Sequence, residues 1–302
     1  MTALVTINSV AEAAKYYTGQ APDHPLIHIV DLSKTQVDEQ LVGTKVCSNL
    51  YAIAVKSNFC GKIRYGRQHY DFSSGVLTAY APGQVIEVSE MYQVGEIGGW
   101  YITFHPDLLL QHPLGRAIKQ YGYFSYEVFE ALHLSEREQQ TLQKLVDDIG
   151  HETRQNHDQF SLDIILSNLD LILKYIDRYF NRQFLTRKSF NFGEVERFTS
   201  LVDDHLARAE VDDVGLPSVN ALADQLNMSP NYLSDLLKTQ TGKSAQELIH
   251  QQLIEKAKYL LLNSENSVAS IAYQLGFEYP QYFSRIFKKK TTLTPAEFRK
   301  VH

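Results

Sequence analysis

The chain has 302 residues, 44% of them hydrophobic and 21% charged, and a formal net charge of −6. That length allows two domains with separate cores, and no apolar run approaches the ~18 residues of a membrane span. MTALVTINSVAEAAKYY, at the start, lacks the basic and apolar regions of a signal peptide, so a cytoplasmic location with no membrane partner is expected. Two cysteines, Cys47 and Cys60, provide neither a disulfide framework nor a zinc cluster.

Residues 24–104 read as β structure. HPLIHIV, LYAIAV, KIRYGRQHYDF, GVLTAYAPGQVIEV and GWYITF are short runs separated by Gly or Pro, and many alternate as in an antiparallel barrel or jelly roll. Tyr51, Arg64, Tyr65, His69, Tyr80 and Trp100 bring aromatic and polar groups to these strands, as a pocket for a small-molecule effector requires; for each, the alternative is a core or rim position. A metal-dependent enzyme on such a scaffold would need two or three histidines and a carboxylate converging on one ion. His69 stands alone on its strand, and His24 and His28, four apart, would share a strand face beside Pro25. No G-x-S-x-G, P-loop or dinucleotide fingerprint occurs. The reading is therefore of no catalytic residue, no metal and no cofactor, with a metal-dependent enzyme as the alternative.

Residues 135–210 read as helical. Ser135-Glu136-Arg137-Glu138 is a capping box, and FSLDIILSNLDLILKYIDRYF sets Leu162, Ile165, Leu166, Leu169, Ile172, Leu173 and Ile176 at three- and four-residue steps. The stripe is broad enough to cover the β region and still meet a second subunit; packing within one monomer is the alternative. VDDVGLPS, residues 211–218, reads as a linker. The expected division is 1–134 for effector binding, 135–210 for dimerisation and connection, 211–215 for the linker and 216–302 for the last domain.

Charge separates that last domain from the rest. Residues 216–302 hold ten Lys and Arg against seven Asp and Glu, a net of +3, which leaves −9 for residues 1–215. A repeat explains the division: LADQLNMSPNYLSDLLKTQTGKSAQEL, from Leu222, aligns with IAYQLGFEYPQYFSRIFKKKTTLTPAEF, from Ile271. The pairs include Ala223/Ala272, Leu226/Leu275, Pro230/Pro280, Tyr232/Tyr282, Lys238/Lys288 and Glu247/Glu297. Each copy reads as two short helices about a tight turn at Asn227 or Gly276, with proline opening the second helix; this is a helix-turn-helix pattern, expected at 219–241 and 268–291. A pair of hairpins in an ordinary bundle is the competing reading of one copy. Ser244-Ala245-Gln246-Glu247 caps a linking helix that runs to about Leu262. Its length of about 28 Å is near the ~34 Å between successive major-groove faces. Thr294-Pro295-Ala296-Glu297 repeats the box ahead of the last helix.

Ile271-Ala272, Gly276-Phe277, Tyr282-Phe283, Arg285, Phe287-Lys288-Lys289, Thr294-Pro295 and Phe298-Arg299 resemble the signature of AraC/XylS-type transcription regulators, over about residues 216–300. The resemblance implies an α+β protein: an N-terminal cupin-like antiparallel β-barrel with trailing helices, then an all-α domain of two helix-turn-helix units joined by a linking helix. The turn Ala81-Pro82-Gly83-Gln84 is similar to that of the cupin-like sensor domain in this family. Implied partners are double-stranded DNA, a small-molecule effector, a second subunit and RNA polymerase; a ligand-independent regulator and a cupin-type metalloenzyme are the alternatives. The outward reading faces would be Asn231, Ser234, Asp235 and Lys238 on the first unit, and Gln281, Ser284, Arg285, Lys288 and Lys289 on the second. Asn231 and Gln281 suit adenine, Arg285 guanine or phosphate, and the lysines phosphate. Asp235 either accepts from a cytosine amino group or pairs with a neighbouring lysine. Four positions depart from the family pattern: Tyr279 and Gln281 replace serines, Thr292 a glycine and Gln252 an arginine.

Overall fold

The computed structural model describes residues 4–35, 43–57, 64–65, 68–69, 75–87, 97–127, 130–155, 158–186, 188–209 and 215–301. The chain divides into two compact units, Met1–Gln183 and Phe184–His302.

The first unit mixes sheet and helix. Its strands are β1 (Leu4–Ile7), β2 (Ile27–Asp31), β3 (Lys45–Ser48), β4 (Tyr51–Ser57), β5 (Arg64–Tyr65), β6 (Gln68–His69), β7 (Val76–Tyr80), β8 (Val85–Glu87), β9 (Gly98–Phe104) and β10 (Leu132–His133). Its helices are α1 (Val10–Tyr17), α2 (Leu114–Ala117) and α3 (Glu136–Glu152), together with α4 (Ser161–Thr186), most of which it holds. Five strands pair antiparallel in the order β10-β7-β4-β9-β2, and a second sheet runs β1-β3-β8. Pairing is not antiparallel throughout, as the strand pattern had implied: β1 runs parallel to β3, which the long connection through α1 and β2 permits. Among the described residues each sheet is open. The Ala81–Gln84 turn closes on itself, with Gln84 Oε1 accepting from the Ala81 N–H at 3.2 Å and Gly83 at φ 82°.

Register divides the five-stranded sheet into two unlike faces. Ile27 and Ile29, Tyr51, Ile53 and Val55, Leu77 and Ala79, and Trp100, Ile102 and Phe104 share one face. It is apolar and covered in part by α3, whose Gly150 lies against Ile29. The other face carries His28, Val30, Ala52, Ala54, Lys56, Thr78, Tyr80, Tyr101 and Thr103. The capping box at Ser135 and Glu138 forms as the spacing requires.

The second unit is all helical: α5 (Lys188–Ala209), α6 (Val219–Leu226), α7 (Pro230–Thr241), α8 (Ala245–Asn263), α9 (Val268–Gln274), α10 (Pro280–Thr291) and α11 (Pro295–Val301). Helix α5, which the sequence pattern joins to the connecting segment 135–210, instead belongs to this unit. Phe198, Val202 and Leu206 are buried, Gln252 Nε2 of α8 donates to the Thr199 carbonyl at 3.2 Å, and His205 Nε2 lies 3.0 Å from the Gly215 carbonyl. Periodicity reveals that a helix has an apolar face, but not which core will cover it. Most of the expected linker, 211–214, lies outside the described residues.

Candidate nucleic-acid interface

Local chemistry builds the two readers. Ser218 Oγ caps α6 by accepting from Ala221 N, and α6 ends on Asn227 in the left-handed conformation, φ 54°. Ser229 Oγ then accepts from Tyr232 N at 3.2 Å, Pro230 occupies the first turn, and Gly242 ends α7 at φ 73°. In the second copy Ser267 caps α9, Gly276 turns the chain at φ 85°, and Pro280 opens α10. The helix pairs span 219–241 and 268–291, as the repeat requires. The linking helix α8 is capped by the reciprocal Ser244 and Glu247 bonds and runs 19 residues.

The cores of the two copies differ. Leu222, Leu226, Leu233, Leu236 and Leu237 are buried in the first. In the second, Phe277, Phe283, Phe287 and Phe298 form a ladder with successive ring centroids 5.3, 5.7 and 5.5 Å apart. Both cores hold their reader by its inner face and leave the predicted outer face open. Asn231, Lys238, Gln281, Arg285, Lys288 and Lys289 are exposed, and Ser234, Asp235 and Ser284 are half-buried at its margin. The Arg285 guanidinium lies 5.2 Å from the Tyr282 ring centroid, a stacked pair on the outer surface.

The basic ends of both readers approach the first half of α8. Bonds from Ser244 chiefly hold the Glu247 carboxyl below its usual range, with Lys290 and Lys238 adding to the effect. Burial, then Lys290 and Lys289, lower His250. Not every cation in the tail is available to a ligand. Arg299 Nε donates to the Leu261 carbonyl at 2.9 Å and so ties α11 to the end of α8.

The proposed effector residues are divided by the sheet. Tyr51 stacks on Phe104 at 5.2 Å and meets Phe124 edge-on at 5.1 Å; Trp100 is buried on the same apolar face. Tyr80 belongs to the opposite, polar face with Lys56 and Tyr101. Arg64, Tyr65 and His69 lie on β5 and β6, but their side chains are outside the described set. Sequence reasoning passed over Lys56, Tyr101 and Tyr17. The alternation Ala52, Ala54, Lys56 within YAIAVKS was the available signal that one face of β4 is not ordinary core. His24 Nδ1 accepts from Leu26 N at 3.1 Å, which commits it to its own loop. Among the described residues no three His, Cys, Asp or Glu converge as metal ligands.

Comparison with known proteins finds relatives of the helix-turn-helix region. A helix-turn-helix domain family matches residues 222–301. The Arabinose operon regulatory protein of Escherichia coli K12 is 36% identical over 107 residues, covering 35% of this chain and 35% of that protein. The HTH-type transcriptional activator RhaS of Escherichia coli O9:H4 is 35% identical over 115 residues, covering 38% and 41%. Residues 222–301 form a helix-turn-helix domain similar in sequence to parts of these two regulators. Among solved structures, the C-terminal domain of the response regulator yesN from Fusobacterium nucleatum is similar to 33% of this chain and 95% of its own, with 34% identity and a TM-score of 0.29. The chain spans less than half the length of the curated relatives it matches.

Within the helix-turn-helix domain the four departures from the resembled pattern acquire structural roles. Thr292 takes the left-handed position that Gly242 fills in the first copy, at φ 69°. Tyr279 leaves the first turn of α10 without a side-chain cap. Gln252 faces α5. Gln281 is exposed at the start of the reader, where it can address a base edge.

Proposed function

We propose that the protein is a sequence-specific DNA-binding transcription regulator acting in the cytoplasm as a homodimer, with its activity set by a small-molecule effector in a cupin-like N-terminal region and passed on to RNA polymerase. The carrying observation is the pair of proline-opened reader helices whose outer faces present Asn231, Lys238, Gln281, Arg285 and Lys288 to solvent. Side chains of these types supply both base recognition and phosphate contact, and counterion release makes the grip salt-dependent. Asn231, Ser234, Asp235 and Lys238 serve the first half of the site; Gln281, Ser284, Arg285, Lys288 and Lys289 serve the second.

The dimer reading rests on α4. Beyond its buried face, Ile164 and Leu171 are exposed and Asn168 and Tyr175 half-exposed, at steps of four, three and four. That spacing suits a coiled-coil seam with a second copy of the chain. Light scattering at micromolar concentration should give twice the 34.5 kDa chain mass; a monomer would overturn the dimer. Genomic footprinting tests the regulator itself. Recovery of discrete sites with a shared motif is the expected result, and uniform salt-sensitive coating of DNA would reject sequence-specific control. No described helix is long and apolar enough to cross a membrane.

A further inference from the structure

The repeat puts a tyrosine at the same place in both reader helices and uses it in two ways. Tyr232 of α7 is core, only 8% exposed. Tyr282, its counterpart in α10, is 40% exposed. It packs edge-on against Phe277 of the aromatic ladder, with centroids 6.0 Å apart, and the Arg285 guanidinium carbon lies over its ring, 5.2 Å from the centroid. Three residues beyond the tyrosine the first copy carries Asp235 where the second carries Arg285.

That pairing has geometric consequences. Residues three apart share a helix face, so the ring and the guanidinium meet the same solvent. An arginine laid on an aromatic face touches it with its plane and keeps its N–H donors at the rim of that plane. Arg285 is exposed, and among the described residues it makes no hydrogen bond or ion pair. The ring is therefore the contact that holds it, and none of its donors is spent on the protein. An arginine free at the surface loses its rotamer freedom on binding; one already laid on a ring has less to lose.

Such a platform sorts the two partners that suit Arg285. A phosphate accepts from a cation over a wide range of approach, and under the proposed function the exposed Lys288 and Lys289 supply that contact with no platform. Guanine asks for more: two parallel donors aimed at O6 and N7 in the plane of the base. We infer that Tyr282 is a positioning residue, whose ring holds the Arg285 guanidinium with its donor edge outward and so makes Arg285 a reader of guanine and not of phosphate. The inference rests on the proposal that the protein is a sequence-specific DNA-binding regulator. The first copy lacks the device, since its tyrosine is core and the partner position is an acid.

The test selects sites for the full-length protein from a randomised duplex library, then titrates the selected site and its single-base variants by fluorescence anisotropy. One guanine in the site should be worth ten- to hundredfold in affinity. Arg285→Lys, which keeps the charge but not the fork, should remove that preference and leave the salt slope unchanged. Tyr282→Leu should cut the preference at this one base pair about two- to fivefold, whereas Tyr282→Phe and Tyr282→Trp, which keep a ring face, should retain it. Added to Arg285→Ala, Tyr282→Leu should cause no further loss there, because the ring acts through the guanidinium. The readout is the ratio between the guanine site and its variants, which a merely structural role for Tyr282 would not move, since damage to the fold weakens binding to every sequence alike. A guanine preference that survives Arg285→Lys, a Tyr282→Leu loss equal on all sequences, a loss in Tyr282→Phe as large as in Tyr282→Leu, or additive losses in the double variant overturns the inference. A library that yields no motif rejects the regulator reading and this inference with it; a motif whose guanine is indifferent to Tyr282 rejects the positioning role alone.

Discussion

The two helix-turn-helix copies share a scaffold and divide its virtues. The first is well made locally: Ser229 caps its reader, Gly242 ends it in a conformation glycine adopts freely, and leucines fill its core. The second lacks the side-chain cap at Tyr279 and forces β-branched Thr292 to φ 69°. It compensates with the aromatic ladder from Phe277 to Phe298 and with Lys288, Lys289 and Lys290 in the last turn of α10, where cations also favour the helix dipole. From residue 216 to 250 the first copy is net −1, with Asp235 at the margin of its reading face. Under the proposed function one copy would select a sequence and the other grip the backbone, and a repeat can specialise in this way because scaffold and outer face occupy opposite sides of the same helices.

The turns offer the strongest test of that contrast. A Cβ at Gly276 would sit 2.4 Å from the Gly215 carbonyl oxygen, backbone against backbone, whereas Asn227 at the matching position is exposed. Gly276→Ala should cost about 3 kcal/mol or more, read as a fall in thermal midpoint of over 10 °C, and Asn227→Ala only about 1 kcal/mol. Equal losses would mean that the second turn is not the constrained one.

Smaller effects sharpen the division of labour on DNA. Asp235→Ala should change preference at a single base pair by about 1–3 kcal/mol in a randomised-site selection; a uniform gain across all sites would make the carboxylate a surface partner and not a reader. Lys288→Ala should weaken binding to every sequence alike and reduce the log–log salt slope by about one. An unchanged slope in a salt titration removes Lys288 from the phosphate contacts. Last, Thr292→Gly and Tyr279→Ser should each stabilise the domain by about 0.5–1 kcal/mol in denaturant unfolding, since they give the second copy what the first already has. The same Gly at 292 with no gain would show that the left-handed turn carries no strain.

The helical half of the molecule was legible because its determinants are local. Caps at Ser218, Ser229, Ser244 and Thr294, prolines at 230 and 280, and three- and four-residue spacing each act within one or two turns, so the expected helices at 219–241 and 268–291 appear at those bounds. The candidate effector residues fared differently. Tyr51, Tyr80 and Trp100 all read as aromatic groups on strands, yet only register against β7 and β9 sends Tyr80 to the polar face and the other two to the apolar one. Tyr17 escaped notice because it comes from a helix far earlier in the chain than the strand it covers.

What the amino-acid order determined by itself is the duplicated reader, its capped helices and the outward set from Asn231 to Lys289, all consequences of short-range hydrogen bonding and period. Tertiary structure decided two things that no local pattern encodes: that α5 joins the helix-turn-helix unit through Thr199 and His205, and that Lys56 and Tyr101 share one side of a sheet where Tyr17 packs on Tyr101. Both depend on which distant surface a given face finds, and burial is a property of the pair of surfaces, not of either stretch of chain alone.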